Sequence, residues 1–168
     1  RLLRSPACVD PEYVLSRDGR DIFFTAADRG TDNLYRVPFA GGTPTLVTKG
    51  GAISAINAGD SSVIFSKASL TSPAELFRVA AAGGTTQGLT HENDSWLKTA
   101  QMSAPESTTV AGAGGTPVQY WILKPPNFDP SQKYPVVFLI HGGPQGEWGD
   151  AWSARWNPTL WAAQGWVV

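Results

Sequence analysis

The residues best suited to chemistry form one short run, in which the apolar Phe138-Leu139-Ile140 leads into His141-Gly142-Gly143-Pro144. Such an apolar run predicts a buried strand, and ligands of open α/β sheets bind at the carboxyl ends of strands. Glycines at that edge let backbone N–H groups face a substrate oxygen with no Cβ in the way. One such donor can stabilise the oxyanion of a tetrahedral intermediate by roughly 3–4 kcal/mol. The alternative is an ordinary glycine-rich turn after a strand.

Three residues close to this loop are candidates for substrate binding: Gln145, Glu147 and Arg155. Glu147, like Asp150, offers an anion for a substrate amino terminus, although exposed carboxylates seldom have so specific a role. Arg155 can hold a substrate carbonyl or pair with an acidic side chain, and the second interpretation is favoured.

The sequence offers no complete catalytic set. Ser131 and Ser153 lack the flanking glycines of a Gly-x-Ser-x-Gly elbow. His91 lies in a polar stretch and is typical of a loop residue. The lone cysteine, Cys8, has no disulfide partner and no Cys/His cluster around it to hold a metal. We therefore expect no catalytic residue, no metal site and no cofactor in this chain.

Five of the seven tryptophans lie between Trp148 and Trp166. They can form an aromatic platform for a substrate, or they can pack the loop and the helix that follows it against the rest of the molecule. Packing is the favoured interpretation.

The loop must be positioned by the elements around it. Residues 108–123, with a glycine-rich centre, predict a hairpin, and residues 134–140 predict a strand buried on both faces. Asn157-Pro158 predicts a helix start, with the helix running to Gln164 and Gly165 as its stop. Hairpin, buried strand, loop, helix and a new strand make an α/β arrangement.

An internal repeat precedes these elements. Residues 18–48 and 60–90 match at an offset of about 41–42 residues, which is in the range of a four-stranded propeller blade. Each copy has a turn, a β-branched and aromatic run, a Leu-aromatic-Arg-Val strand and a Gly-Gly-Thr turn. The sequence thus predicts β-propeller blades (all-β) over residues 1–95, followed by the start of an α/β-hydrolase domain over residues 96–168. A plain antiparallel meander is the alternative to the blades.

Composition excludes some partners. A formal net charge of -1 gives no electrostatic basis for binding nucleic acid or anionic lipid. No leader sequence is recognisable, and the longest apolar run, 136–140, is far too short to span a bilayer. The chain begins at Arg1 and stops where a strand after Gly165 has just begun, so we expect both ends to be incomplete. Localisation stays open, with a lean toward periplasm or secretion, and oligomeric state cannot be read.

Three further segments carry a family resemblance: Val118-Gln119-Tyr120-Trp121-Ile122-Leu123-Lys124-Pro125-Pro126, Lys133-Tyr134-Pro135-Val136-Val137 and Asp150-Ala151-Trp152-Ser153-Ala154-Arg155-Trp156-Asn157-Pro158. Together with the His141 loop they resemble the prolyl oligopeptidase family of serine peptidases. Within that family the chain is similar to the dipeptidyl peptidase V and acylaminoacyl peptidase branch.

This resemblance implies a serine exopeptidase acting on short peptides, with a Ser-Asp-His triad beyond Val168 and no cofactor. It implies that 141–144 is the oxyanion loop and that the chain by itself is inactive. His141 either orients that loop or contacts the substrate; a purely structural histidine at the strand end is equally compatible. A carboxylic ester hydrolase and a propeller binding module with a degenerate hydrolase domain remain alternatives, and dipeptidyl versus acylaminoacyl specificity is open.

Overall fold

The computed structural model describes residues 12–143 and 146–168. Cys8, Pro144 and Gln145 of the sequence predictions therefore lie outside the described residues. Within that part of the chain, no helix is both long and apolar enough to cross a membrane.

Most of the described chain is β-structure, and eight strands form one continuous sheet made of two four-stranded antiparallel units. The first repeat comprises β1 (Tyr13–Leu15), β2 (Asp21–Asp28), β3 (Thr31–Pro38) and β4 (Thr45–Thr48). The second repeat comprises β5 (Ala52–Ala58), β6 (Ser62–Ser69), β7 (Ser72–Ala80) and β8 (Gln87–Gly88). A single parallel bridge between Asp32 and Ala52 joins them. The repeat in the sequence is thus confirmed as a repeat in structure.

Equivalent positions of the two repeats have the same geometry. Phe24 pairs with Tyr35 across β2 and β3, and Phe65 pairs with Phe77 across β6 and β7. The two ring pairs are stacked, with centroids 5.7 and 6.0 Å apart. The Gly-Gly turns match as well, since φ is +93° and +144° in the first repeat and +92° and +124° in the second.

One hydrophobic core lies between the repeats. Its buried side chains come from both units: Phe23, Leu34 and Val47 of the first, and Ile53, Ala58, Val63, Phe65 and Val79 of the second. Neither four-stranded sheet buries these side chains alone, so each repeat is stabilised by its neighbour.

The second repeat leads through a short helix, α1 (Asp94–Leu97), into a two-stranded hairpin. Its strands are β9 (Glu106–Ala111) and β10 (Pro117–Ile122), with a 3₁₀ turn at Ala113–Gly115 between them. The predicted hairpin is confirmed, and β9 begins two residues earlier than the apolar pattern indicated.

The predicted buried strand 134–140 is wrong. Only Val136 forms a bridge, to Val167, and Val136, Phe138 and Ile140 are 72%, 78% and 74% exposed. A parallel strand is buried only when neighbouring strands and covering helices flank it. Among the described residues, the only such neighbour is the single bridge to Val167. The 134–140 segment is therefore extended but largely exposed.

The predicted helix is shorter than expected. The helix α2 covers only Thr159–Ala162, because the turns at Gln164 and Gly165 bond three residues back and Gly165 has φ +88°. It also starts one residue later than predicted, with Pro158 as the N-cap residue, and the Asn157 side-chain oxygen accepts the Thr159 N–H at 3.0 Å.

Val167 and Val168 join the hairpin to the segment before the loop. Val168 exchanges two backbone hydrogen bonds of 2.9 Å with Leu123, at the end of β10. Val137 N–H donates to the Val167 carbonyl at 2.9 Å, and Val167 N–H donates to the Pro135 carbonyl at 3.0 Å. The 135–137 segment thus lies beside the hairpin with one short strand between them.

Candidate functional site

The glycines of the loop have open backbones. Gly142 and Gly143 are exposed, and a Cβ on either would meet no atom within 4 Å. Gly143 has φ +76°, a conformation that residues with a side chain adopt only at a cost. In the part of the chain that the structure describes, neither N–H is bonded to an acceptor. With respect to the described residues, both donors are thus available to a ligand.

The His141 ring lies at the mouth of this loop and is exposed. Its Nδ1 is 3.4 Å from the Gly142 carbonyl oxygen, too long for a bond that would fix the ring. Gly146 passes close by, since a Cβ there would lie 3.5 Å from His141 Nδ1. The ring is thus held loosely, and the choice between a structural and a substrate-contacting role stays a prediction.

A pocket of about 440 Å³ opens beside the loop. Its walls are mostly apolar and include Leu70, Trp121, Leu139, His141, Glu147 and Val168. Leu70 belongs to the β6–β7 turn, so the second repeat closes one side of a pocket that the hairpin and the loop otherwise form. Such a pocket suits an apolar side chain, with His141 and Glu147 as polar groups at its rim.

The substrate-binding candidates lie in different surroundings. Glu147 is exposed and lines the pocket, where its carboxylate can reach a bound cation. The Arg155 guanidinium lies 5.5 Å from the centre of the Trp156 ring. Across residues 12–143 and 146–168 it forms no ion pair, so the favoured pairing with an acid is absent there.

Asp150 does not face the loop. Its Oδ1 accepts the Leu70 N–H at 2.8 Å, and its own N–H donates to the Gly30 carbonyl at 2.6 Å. The side chain is thus directed at the β6–β7 turn and the backbone N–H at the β2–β3 turn, which differs from the role in binding a substrate amino terminus considered for this residue.

The two serines considered as nucleophiles have local roles. Ser153 Oγ accepts the Trp156 N–H at 2.9 Å. Ser131 donates its N–H and hydroxyl to Asp129 Oδ1 at 2.9 and 2.8 Å, and these bonds hold the pKa of the Asp129 carboxyl below its usual value. Both arrangements stabilise turns.

His91 likewise stays in the linker, where its Nδ1 is 3.4 Å from Asp94 Oδ2. No group of three or more His, Cys, Asp or Glu side chains suited to a metal ion occurs among the described residues.

The tryptophans pack on one another. Trp152 lies 5.6 Å from Trp96 of α1, and Trp156 is stacked on Trp161 at 6.3 Å. The buried Trp148 Nε1 has no partner among the described atoms. Because Trp152 contacts a residue of the linker, these contacts favour packing over a substrate platform.

The hairpin turns of the repeats have a part in the site that the sequence pattern did not predict. Leu70 is 2% exposed and packs with Leu123, Ala162, Trp121 and Val168, although it occupies a two-residue turn. A leucine at that turn position, where the first repeat has Arg29, was the one available signal. Nothing in the sequence pointed to Gly30.

Comparison with known proteins shows that the chain is similar to parts of peptidases. No protein-family model matches it. It is 43% identical over 166 residues to dipeptidyl-peptidase 5 of Trichophyton equinum, which covers 94% of this chain and 23% of that relative. The chain thus spans about a quarter of the length of the curated relatives it matches.

Solved structures of acylaminoacyl peptidases have the same fold over nearly all of the chain. One, in complex with Z-Gly-Gly-Phe-chloromethyl ketone, has a TM-score of 0.74 at 25% identity and covers 95% of this chain and 25% of that one. The enzyme from Pyrococcus horikoshii has a TM-score of 0.73 at 26% identity, with 95% and 24% covered. These likenesses confirm the resemblance to the prolyl oligopeptidase family that the motifs carried.

Proposed function

We propose that the protein carrying this chain is a serine exopeptidase that hydrolyses short peptides, of the dipeptidyl or acylaminoacyl type. The observation that carries the proposal is the 43% identity to a dipeptidyl-peptidase 5 along 94% of this chain. The open glycine loop beside an apolar pocket supports it, since acyl transfer needs N–H donors at the scissile carbonyl oxygen, close to where the substrate is held.

In this proposal the chain supplies the oxyanion site, and a Ser-Asp-His triad outside this sequence supplies the nucleophile. The serine oxygen bonds to the scissile carbonyl carbon, while its proton passes to the histidine and then to the leaving amine. In a second step, water attacks the acyl-enzyme ester and releases the acyl group as an acid, and the proton returns to the serine through the histidine. The N–H groups of the Gly142–Gly143 turn donate to the carbonyl oxygen as it becomes negative, and no cofactor is needed.

The same proposal covers the architecture. Residues 1–95 would be the C-terminal blades of a β-propeller, and residues 96–168 the start of an α/β-hydrolase domain. Two four-stranded units sharing one core support the blades. The strand pairing of Val168 with Leu123, and of Val167 with the 135–137 segment, supports the start of a second sheet ahead of the loop.

Substrate contacts follow from the placement of the candidates. Glu147 at the pocket rim would bind the amino terminus of a dipeptidyl substrate, and His141 at the mouth of the loop would orient the loop or contact the substrate. Arg155, stacked on Trp156, would reach a substrate carbonyl only after leaving that ring.

The first test is to read the coding frame beyond Val168. We expect Gly-x-Ser-x-Gly, then Asp, then His, and labelling of that serine by a fluorophosphonate. A frame without the serine elbow would overturn the peptidase, leaving the repeats as a binding module. Preference of the purified protein for p-nitrophenyl esters over both dipeptidyl and N-acetyl-aminoacyl p-nitroanilides would instead identify an esterase.

A second test uses the two glycines as a matched pair. Gly143→Ala must strain the backbone at φ +76°, whereas Gly142→Ala adds a methyl group to open space at an ordinary φ. We expect Gly143→Ala to lower kcat about a hundredfold by displacing an oxyanion donor, and Gly142→Ala to lower it less. Equal, small effects would argue against an oxyanion role for this turn.

A further inference from the structure

The turns of β2–β3 and β6–β7 occupy equivalent places in the two repeats but are built differently. Arg29 and Gly30 both have positive φ, at 53° and 76°, as in the primed two-residue turns of hairpins. Leu70 and Thr71 do not have positive φ, and Leu70 directs an apolar side chain into the core beside the pocket. Both turns meet the segment that follows the glycine loop.

Asp150 bonds to both turns at once. Its N–H donates to the Gly30 carbonyl of the first repeat at 2.6 Å, and its Oδ1 accepts the Leu70 N–H of the second repeat at 2.8 Å. Because Leu70 is 2% exposed, its amide would be left without a partner if the carboxylate were removed. One residue therefore sets the spacing between two neighbouring turns and ties both to the chain after the loop.

The adjoining residues fix the same segment from the hairpin side. Trp121 of β10 donates its Nε1–H to the Trp148 carbonyl at 2.8 Å. Gly30 leaves room for that indole, since a Cβ there would lie 2.9 Å from Trp121 Nε1. The chain from 148 to 150 is thus held between β10 and the two turns.

Residues 148–150, held in this way, follow the glycine loop and the pocket-lining Glu147 in the chain. His141, Glu147 and Trp148 line the pocket together with Leu70, and the open glycines directly follow His141 in the chain. The N–H groups of the two glycines make no hydrogen bond to the described residues, and the 3.4 Å contact of the Gly142 carbonyl with His141 Nδ1 is long, so their placement depends on what holds the chain on either side.

We infer that Asp150 is a positioning residue, which ties the turns of both repeats to segment 146–150 and so fixes the Gly142–Gly143 donors relative to the pocket. The inference rests on the proposed function for its catalytic consequence, but the structural tie exists whatever the reaction. It differs from a contact with substrate, because the bonds of Asp150 run to the turns.

The experiment compares Asp150→Ala with Asp150→Asn in the full-length protein that carries this sequence. Asparagine keeps an acceptor oxygen at the same place and should rescue what alanine loses. Asp129→Ala is the control, since it also removes a carboxylate that accepts a backbone N–H, at 2.9 Å, but in a turn away from the loop. Should the alanine variant fail to fold, Asp150→Ser shortens the acceptor by one bond and takes its place.

Hydrogen exchange followed by mass spectrometry is the first readout. We expect Asp150→Ala to speed exchange about tenfold both in the peptide holding Leu70 and in peptides covering 141–149, as loss of one hydrogen bond predicts. In Asp150→Asn and Asp129→Ala, the exchange rates of the Leu70 peptide and of the 141–149 peptides should stay near those of the wild type. Faster exchange at Leu70 with an unchanged 141–149 segment would overturn the inference and make Asp150 a local cap.

Steady-state kinetics on a peptide p-nitroanilide is the second readout. A displaced oxyanion donor should lower kcat by about tenfold to a hundredfold in Asp150→Ala with KM changed less than about twofold, and Asp150→Asn should restore kcat. A rise in KM alone would overturn the inference in favour of substrate binding. If the wild type hydrolyses no peptide, the proposed function fails by itself, and the exchange experiment still decides on Asp150.

Discussion

The first and second repeats share most of their strand register but have different surroundings. Phe23, Leu34 and Val47 of the first repeat are 1%, 0% and 5% exposed, because the second repeat packs on them. The equivalent side chains of the second repeat are far more exposed: Ile64 at 40%, Leu76 at 42% and Leu89 at 41%. The sequence pattern therefore determines the geometry within a sheet, while the neighbouring unit decides which of its apolar faces becomes core.

At the hairpin turns the difference in burial is reversed, since the turn residue of the second repeat is the buried one. Arg29, at the β2–β3 turn, is exposed, whereas Leu70, at the equivalent β6–β7 turn, is buried against the chain around the candidate site. The second repeat thus packs on the first through one face and on the C-terminal part of the chain through its turn. Its remaining face is the apolar surface left uncovered.

The largest expected effect tests this difference in burial at matched leucines. Leu34→Ala should lower the free energy of unfolding by about 3 to 5 kcal/mol, because it leaves a cavity between the repeats. Leu76→Ala, at the equivalent position, should cost about 1 kcal/mol or less, because its side chain is already 42% exposed. Urea unfolding of the 168-residue chain measures both. Equal losses would mean that the Leu76 face is covered in solution.

The next effect concerns the turns. Leu70→Ala should cost about 2 to 3 kcal/mol, since Leu70 is fully buried but belongs to a small cluster that can partly collapse toward the pocket. Arg29→Ala should change the stability by less than about 0.5 kcal/mol, because the side chain is solvated. The same unfolding experiment compares the two, and a loss of similar size at Arg29 would contradict the asymmetry of the turns.

A smaller effect separates turn strain from packing. Gly41 and Gly83 have φ +93° and +92°, so alanine at either should cost about 1 to 2 kcal/mol of backbone strain. Only Gly83 is also crowded, since a Cβ there would lie 3.1 Å from the Val47 carbonyl oxygen. We expect Gly83→Ala to lower the thermal midpoint further than Gly41→Ala, and the reverse order would be inconsistent with the packing of the repeats.

The comparison also explains what the sequence could predict. The glycine turns and the strands of the repeats depend on residues close along the chain, and they were predicted correctly. The strand at 134–140 was not, since its burial depends on neighbours that periodicity cannot show. The bonds of Asp150 to Gly30 and Leu70 join residues about 80 or more apart in sequence with no shared motif, so only the folded chain reveals them.

The smallest expected effect concerns how each repeat holds the chain that leaves it. Asn33 and Glu75 occupy equivalent positions on β3 and β7. The side chain of each accepts a backbone N–H from the chain that follows the last strand of its repeat. Asn33 Oδ1 accepts that of Gly50 at 2.9 Å, and Glu75 Oε1 accepts that of Asn93 at 2.8 Å. Hydrogen bonds from the Thr90 hydroxyl, and then from Asn93, hold the pKa of Glu75 below its ordinary value of 4.5. Of these two acceptors, only the Glu75 carboxylate of the second repeat can be protonated as the pH falls.

Because the folded pKa of Glu75 is lowered, the stability it contributes is present above pH 4.5 and is lost as the pH falls through the folded pKa. Acidification should therefore speed hydrogen exchange at Asn93 and leave exchange at Gly50 on its normal pH dependence. Glu75→Gln, which keeps an acceptor but cannot titrate, should remove that difference between the repeats. If the Asn93 amide in Glu75→Gln still loses protection below pH 4.5, the pH response comes from another group, and the two repeats hold their outgoing chains in the same way.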